Sequence, residues 1–421
     1  MGQNAIEKQE GQESELQRWT RLVQEQLATP TAYPKGKWSG QGIVMTAGRR
    51  MYFTSAYVSI RVLRDHVKCT LPIEVFYGGA DEMPQSAIEH MERVYNGVKF
   101  IDMSTLPGLK GVSVKGYQIK AFAVYYSSFK EVLWMDSDNI ALADPKTLFS
   151  SPSYLSPHAT AMFWPDYCNM ISVRQETFGV FGFAVPKNQP QPREGKQTVW
   201  PLQCFEGVRT EIETGQLLIN KENSFSALCL LLFLNINHDF FLKKLFHGDK
   251  MTFHFAFAAT NTPYHLVSYS PYSYGLMGSG APTRVGEIFC GNTMGQRHPD
   301  TGHTLFLHRT SAKFKDASSY FMDTPTPPRA WTHYARQAPR ASWDLAFRGE
   351  VSDAVFVGRD ASLHNECVVP SDSNVVIKKV KKSVRETETA CLQYLQELRE
   401  LPFYPGYRQC TAESLFFCRN A

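Results

Sequence analysis

Glu131-Val132-Leu133-Trp134-Met135-Asp136-Ser137-Asp138-Asn139 is a short apolar run that ends in two carboxylates two residues apart. Read as a buried strand, its alternation points both Asp side chains the same way at the strand's exit, where two hard oxygen ligands can grip one divalent cation. A solvated strand end with turn-forming Asp and Asn is the other reading of these residues. On the upstream side, Gly116 to Tyr125 reads as a helix carrying Lys120. On the downstream side, Ile140-Ala141-Leu142-Ala143 resumes an extended segment that Pro145 closes.

Further out, Gly42 to Ala47 and Leu71 to Tyr77 read as buried strands, and Val98 to Ile101 as a third. Tyr52 to His66 and Ser86 to Tyr95 carry apolar residues near helical spacing. Alternating strands and helices predict right-handed crossovers and a mostly parallel sheet covered on both faces. Ligands of such sheets gather beyond the carboxyl ends of the strands, which is where Thr46, Ala47, Tyr52 and the Asp136-Ser137-Asp138 motif fall. Beyond residue 150 the pattern becomes mixed, with a strand at Ala161 to Tyr167, Glu213-Thr214-Gly215-Gln216 leading into Leu217-Leu218-Ile219, and an apolar helix from Ser224 to Asn235. The chain divides on this reading into a helical or loose leader (1–37), a large domain (38–315) and a small α+β appendage (316–421). The Pro-rich stretch Thr324 to Pro328 reads as the linker to that appendage.

With 43% hydrophobic and 20% charged residues the chain has ordinary globular composition, and a formal net charge of +4 gives no footing for nucleic acid. The densest basic cluster, Lys378-Lys379-Val380-Lys381-Lys382, reads as a solvated element end or as a contact for an anionic partner. Residues 1–30 are polar, and the apolar run Phe225 to Ile236 is too short to span a bilayer, so no membrane span is expected. Nine cysteines without a Cys-x-x-Cys pair fit neither a disulfide framework nor a zinc cluster. A soluble, cytoplasmic chain is the favoured expectation, and the Golgi lumen is the alternative for a chain separated from an N-terminal anchor.

Gly42 to Tyr52 with a helix after it, Lys120 before the strand, Asp136-Ser137-Asp138, Phe163-Trp164-Pro165-Asp166, Glu213-Thr214-Gly215-Gln216, His247-Gly248-Asp249-Lys250 and Phe306-Leu307-His308 occur in this order over about residues 40–312. This series resembles the fungal α-mannosyltransferases that extend mannan and N-glycan branches, and more distantly the glycogenin-like retaining transferases. The resemblance implies a GT-A-type α/β fold, with a Rossmann-like sheet flanked by helices. It implies metal-dependent, retaining transfer of a hexose, mannose from GDP-mannose, to a glycan or glycoconjugate acceptor. A UDP-sugar donor is the close alternative, and a catalytically silent carbohydrate-binding relative is an alternative of another class.

Such a transferase must neutralise a diphosphate leaving group, and a bound cation supplies that charge. By the resemblance, Asp136, Asp138 and His308 hold Mn²⁺ or Mg²⁺. Thr46, Ala47, Tyr52, Lys120, Asp136 and Ser137 contact the donor, with Tyr52 stacking on the base or serving as a core aromatic. Asp249, Glu213 and Gln216 sit near the reacting centre. Gly215 lets the backbone approach a sugar or makes a plain turn into a strand. Asp166 is a third carboxylate candidate, and Trp164 is either a sugar platform or core. The appendage is expected to serve acceptor choice or partner binding, so that its removal near Thr324 would spare donor chemistry if the remaining domain folds.

Overall fold

The computed structural model describes residues 13–109, 114, 116–156, 160–166, 170–184, 198–201, 212–246, 248–279, 287–310, 312–314, 330–337, 366–368 and 375–404. Helix α1 (Glu15–Ala28) opens with a reciprocal capping box, in which Ser14 Oγ accepts from Gln17 N–H and the Gln17 side chain accepts from Ser14 N–H. The leader is therefore helical over these residues, and the helix is docked rather than loose. Val23 is fully buried and Trp19 stacks on Phe240 with 5.2 Å between ring centres.

The alternation then runs as expected through β1 (Gln41–Thr46), α2 (Arg49–Arg61), β2 (Ile73–Tyr77), α3 (Gln85–Val94), β3 (Val98–Asp102), α4 (Ile119–Tyr126) and β4 (Glu131–Met135). Strand β1 pairs in parallel with β2 and β4, and β2 pairs in parallel with β3. Period-two alternation splits these strands between two cores. Ile43, Met45, Val75, Leu133 and Met135 join one apolar cluster, whereas Val44, Phe76, Val132 and Trp134 join the other. Both faces are covered, which is why the strands read as continuous apolar runs.

The chain continues through β5 (Asn139–Ala141), β6 (Ala161–Pro165), β7 (Met170–Val173), α5 (Glu176–Val180), β8 (Thr198–Pro201), β9 (Ile212–Asn220), α6 (Phe225–Ile236), α7 (His238–Phe240), α8 (Lys250–Ala259) and β10 (His265–Leu266). The main sheet has the order β10-β6-β9-β4-β1-β2-β3. It is parallel except for β9, which runs antiparallel to both β4 and β6. Among the described residues no single helix is long and apolar enough to cross a membrane.

A second, antiparallel sheet is built from β11 (Tyr272–Ser279), β12 (Glu287–Arg297), β13 (Thr304–His308), β14 (His333–Gln337), β15 (Glu366–Val368) and β16 (Val375–Lys379). Its order is β16-β14-β11-β12-β13-β5, with β15 paired to β12. The short strand after Asp138 thus belongs to this second sheet. The last helix, α9 (Lys382–Glu400), lies on α2, where Arg61 Nη1 meets Glu397 Oε2 at 2.6 Å and Tyr404 OH meets Thr54 Oγ1 at 2.8 Å. Trp331, Leu395, Leu398 and Tyr404 are buried in the same cluster as β1 and β2. The described part of residues 316–421 therefore shares the core of the domain before it, in contrast to the appendage expected from sequence. The linker stretch Thr324 to Pro328 lies outside the described residues. Cys290 on β12 is disulfide-bonded, while Cys69, Cys229 and Cys391 are free.

Candidate active site

Strand β4 stops at Met135, and Asp136-Ser137-Asp138 forms a turn closed by the Asn139 N–H donating to Asp136 O at 2.9 Å. The two carboxylates are brought together by that turn and not by alternation along a strand, because Asp and Asn favour turns and β5 leaves for the other sheet. The turn is pinned from three sides. Asp136 N–H donates to Gly215 O at 2.8 Å, Asn139 Nδ2 donates to Gly215 O at 2.9 Å and to Gln216 Oε1 at 2.8 Å, and Arg309 N–H donates to Asp138 O at 3.0 Å. Gln216 is fully buried and fixes the turn through its Oε1, and its Nε2 has no hydrogen-bond acceptor among the described residues. Ser137 is buried within the turn.

His308 ends β13, where it lies in register with Asn139 of β5 and Met294 of β12. Its Nε2 is 3.4 Å from Asp138 Oδ1 and 3.8 Å from Asp136 Oδ2. One ligand atom from each of the three residues lies within 4.8 Å of the others. That spacing and the two-carboxylate, one-imidazole set fit a single Mn²⁺ or Mg²⁺. Gly215 makes room for the ring. A Cβ there would sit 2.5 Å from His308 Nδ1, so the close approach this glycine permits is to the imidazole rather than to a sugar. Gly215 lies inside β9 and not in a turn before it, beside a register shift opposite Phe163 and Trp164. Gly215→Ala should displace the ring by about 1 Å and lower kcat/KM by roughly 100-fold with the fold retained. A kinetic assay beside a circular-dichroism melt checks this, and unchanged kcat/KM would contradict the packing argument.

The electrostatics bind these groups together. Burial acts to lower the His308 pKa, but Asp138 and Glu213 outweigh it and raise the imidazole to about 10. Glu213 Oε1 lies 3.4 Å from His308 Nδ1 and also accepts from Gly215 N–H at 2.8 Å. Burial acts to raise Asp138, yet Lys313, whose Nζ is 3.1 Å from Asp138 Oδ2, and His308 hold it well below the usual carboxylate range. Asp136, with 26% of its side chain exposed, is shifted upward, first by desolvation and against the pull of Lys120.

Lys120 Nζ is 2.8 Å from Asp249 Oδ2 and 3.1 Å from Asp136 Oδ1, and it donates to Thr214 O at 2.8 Å. Burial would lower its pKa, but Asp136 and Asp249 raise it above the ordinary lysine value, so it stays charged and cross-links the two carboxylates. Trp134 Nε1 donates to the same Asp136 at 2.7 Å. Asp249 follows Gly248, whose φ is +79°, and precedes the first residue of α8. The neighbouring His247 of that motif lies outside the described residues. Asp166 is ion-paired with Lys250, which lies 4.0 Å from Glu213 Oε2. Trp164 is core. It is fully buried, donates to Arg297 O at 2.8 Å and packs edge-on against Phe306.

Thr46 ends β1 and Ala47 follows it at the same sheet edge, with the Ala47 N–H bonded to Phe76 O at 2.9 Å. Tyr52, in the first turn of α2, is 39% exposed, which sets aside the core-aromatic reading. Lys313 and Thr214 are the site residues that sequence reasoning missed. A lysine shortly after His308 was the only signal for the first, and Thr214 stood inside a motif read for its neighbours.

The sequence matches the Mannosyl_trans3 mannosyltransferase family over residues 40–298, a stretch that ends short of His308. Similar proteins include the alpha-1,2-mannosyltransferase MNN22 of Candida albicans, 28% identical over 322 residues that make up 68% of this chain and 52% of that protein. The alpha-1,2-mannosyltransferase MNN2 of Saccharomyces cerevisiae is 28% identical over 254 residues, 54% of this chain and 41% of that protein. The chain spans about half the length of the curated relatives it matches. Among solved structures it is similar to the glycosyltransferase GlyE of Streptococcus pneumoniae TIGR4, at 16% identity and TM-score 0.35 over 55% of this chain and 46% of that one. Mouse xyloside xylosyltransferase 1 gives 15% identity and TM-score 0.35 over 54% and 85% of the two chains. Matched over more than half its length, the chain belongs to the Mannosyl_trans3 mannosyltransferase family.

Proposed function

We propose that this chain is a metal-dependent, retaining α-mannosyltransferase that takes mannose from GDP-mannose and passes it to a hydroxyl of a glycan or glycoconjugate. The convergence of Asp136, Asp138 and His308 at the carboxyl edge of the parallel sheet carries the reading. A divalent cation, Mn²⁺ or Mg²⁺, held by these three residues supplies positive charge for the departing diphosphate. Lys313, held against Asp138, adds a second positive charge on the same side. Lys120 keeps Asp136 and Asp249 in fixed relation, so the carboxylate near the reacting centre moves only with the cation cradle. Thr46, Ala47, Tyr52 and Ser137 line the same edge and are proposed to receive the donor.

Glu213 and Asp249 are each tied down, the first by Gly215 N–H and the second by Lys120. A front-face attack in which the leaving phosphate oxygen takes the acceptor proton therefore suits the site better than double displacement through either carboxylate. The disulfide at Cys290 supports an oxidising, luminal place of work over the cytoplasm. A thermal-shift panel of GDP, UDP, GDP-mannose and UDP-glucose, each with Mn²⁺ or with EDTA, tests the reading. GDP-mannose with Mn²⁺ at about 100 times Kd is expected to raise Tm by about 2–4 °C, and EDTA to remove the shift. A larger shift with UDP-glucose would replace the donor. No shift with any nucleotide would favour a silent carbohydrate-binding relative.

A further inference from the structure

The segment after β13 delivers two side chains to one carboxylate. His308 Nε2 lies 3.4 Å from one Asp138 oxygen and Lys313 Nζ lies 3.1 Å from the other. Arg309 stands between them in sequence and is held through both its backbone and its side chain. The Arg309 N–H donates to Asp138 O at 3.0 Å, and Arg309 Nε donates to Ala312 O at 2.6 Å. The guanidinium carbon lies 3.8 Å from the ring centre of Phe314 and 4.9 Å from that of Trp331. With 1% of the residue exposed, this cation is buried. Trp331 is itself held, since its Nε1 donates to Thr293 Oγ1 at 2.8 Å and its backbone N–H to Glu388 Oε1 of α9 at 3.1 Å.

We propose that Arg309 is a positioning residue for the cation cradle, acting through His308 and Lys313 by clamping the chain between them. The inference rests on the metal-dependent reading given above. Only a planar guanidinium can lie on two aromatic faces while its Nε–H closes the loop, and a lysine ammonium offers neither the plane nor the fixed donor. Groups that orient a metal ligand from behind typically change metal affinity by about 10–100-fold when removed. Through Trp331 and Glu388 the clamp also ties the cradle to α9.

The test is Mn²⁺ binding followed by electron paramagnetic resonance on the full chain, with unfolding melts in parallel. Arg309→Lys should keep a cooperative melt and bind Mn²⁺ at least about 10-fold more weakly. Added to His308→Ala, which removes the ligand through which Arg309 acts, the same substitution should weaken binding by less than about threefold more. Wild-type Mn²⁺ affinity in Arg309→Lys, or full additivity with His308→Ala, would overturn the proposal. If Arg309→Lys does not fold, Phe314→Leu decides. It strips one aromatic face from the guanidinium, and a loss of about threefold or more supports the clamp while an unchanged titration overturns it. A wild-type protein that takes up no Mn²⁺ contradicts the metal reading and the inference together, whereas an unchanged titration in the variants contradicts the inference alone.

Discussion

Asp138→Asn should abolish transfer almost completely, by two to three orders of magnitude in kcat, the usual loss when one charged contact to a leaving group is removed. The carboxylate stands between His308 and Lys313 and is held ionised by both. An asparagine there removes a full ligand charge from a site proposed to exist for charge neutralisation. It also leaves two cations facing a neutral amide in a pocket where Asp138 is only 7% exposed. Breaking a buried ion pair from one side costs about 3–5 kcal/mol. The variant should therefore melt several degrees lower while remaining folded at assay temperature. Turnover near the wild-type rate at saturating Mn²⁺ would remove Asp138 from the metal site. Lost activity with the wild-type Mn²⁺ affinity would shift its role from ligand to structural anchor.

Ending the chain at Thr324 should give no soluble, cooperatively folded protein, the opposite of what the appendage expected from sequence predicts. The cut removes Trp331, Tyr394, Leu395, Leu398 and Tyr404, all buried in the cluster that contains β1 and β2. At about 1.5–3 kcal/mol for each large apolar side chain, their loss is on the order of 10 kcal/mol, comparable with the whole stability of an ordinary domain. It also strips β14 from the edge of β11 and leaves the outer face of α2 bare. Trp331 stacks over Arg309, so even a partly folded remnant should bind Mn²⁺ poorly. Soluble yield, a circular-dichroism melt and Mn²⁺ titration of residues 1–324 check this. A truncated protein that melts within a few degrees of the full chain and keeps its nucleotide binding would restore the separate-appendage view.

The first four strands and their helices were legible because β1, β2 and β4 are buried on both faces and α2 and α3 carry apolar residues near helical spacing, signals carried by neighbours in sequence. The Asp136-Ser137-Asp138 motif was visible for the same reason, as an apolar run cut short by acids. Its geometry was open to two readings, because a turn between two sheets and a strand end look alike until β5 has a partner. Trp164 and Gly215 show the same limit. An indole can be core or platform, and a glycine can face a sugar or a histidine ring. Only the packing of Phe306 and the arrival of His308 choose between them.

Local sequence was enough for the alternating α/β framework and, through ordered motifs, for the carboxylates and the histidine to look for. Only tertiary contacts bring Lys313 to Asp138, set Arg309 against Phe314 and Trp331 and pack the C-terminal helix into the core. Those facts depend on β13 and α9 returning to elements far away in sequence, and the hydrophobic pattern of a segment states which face it buries without stating against what.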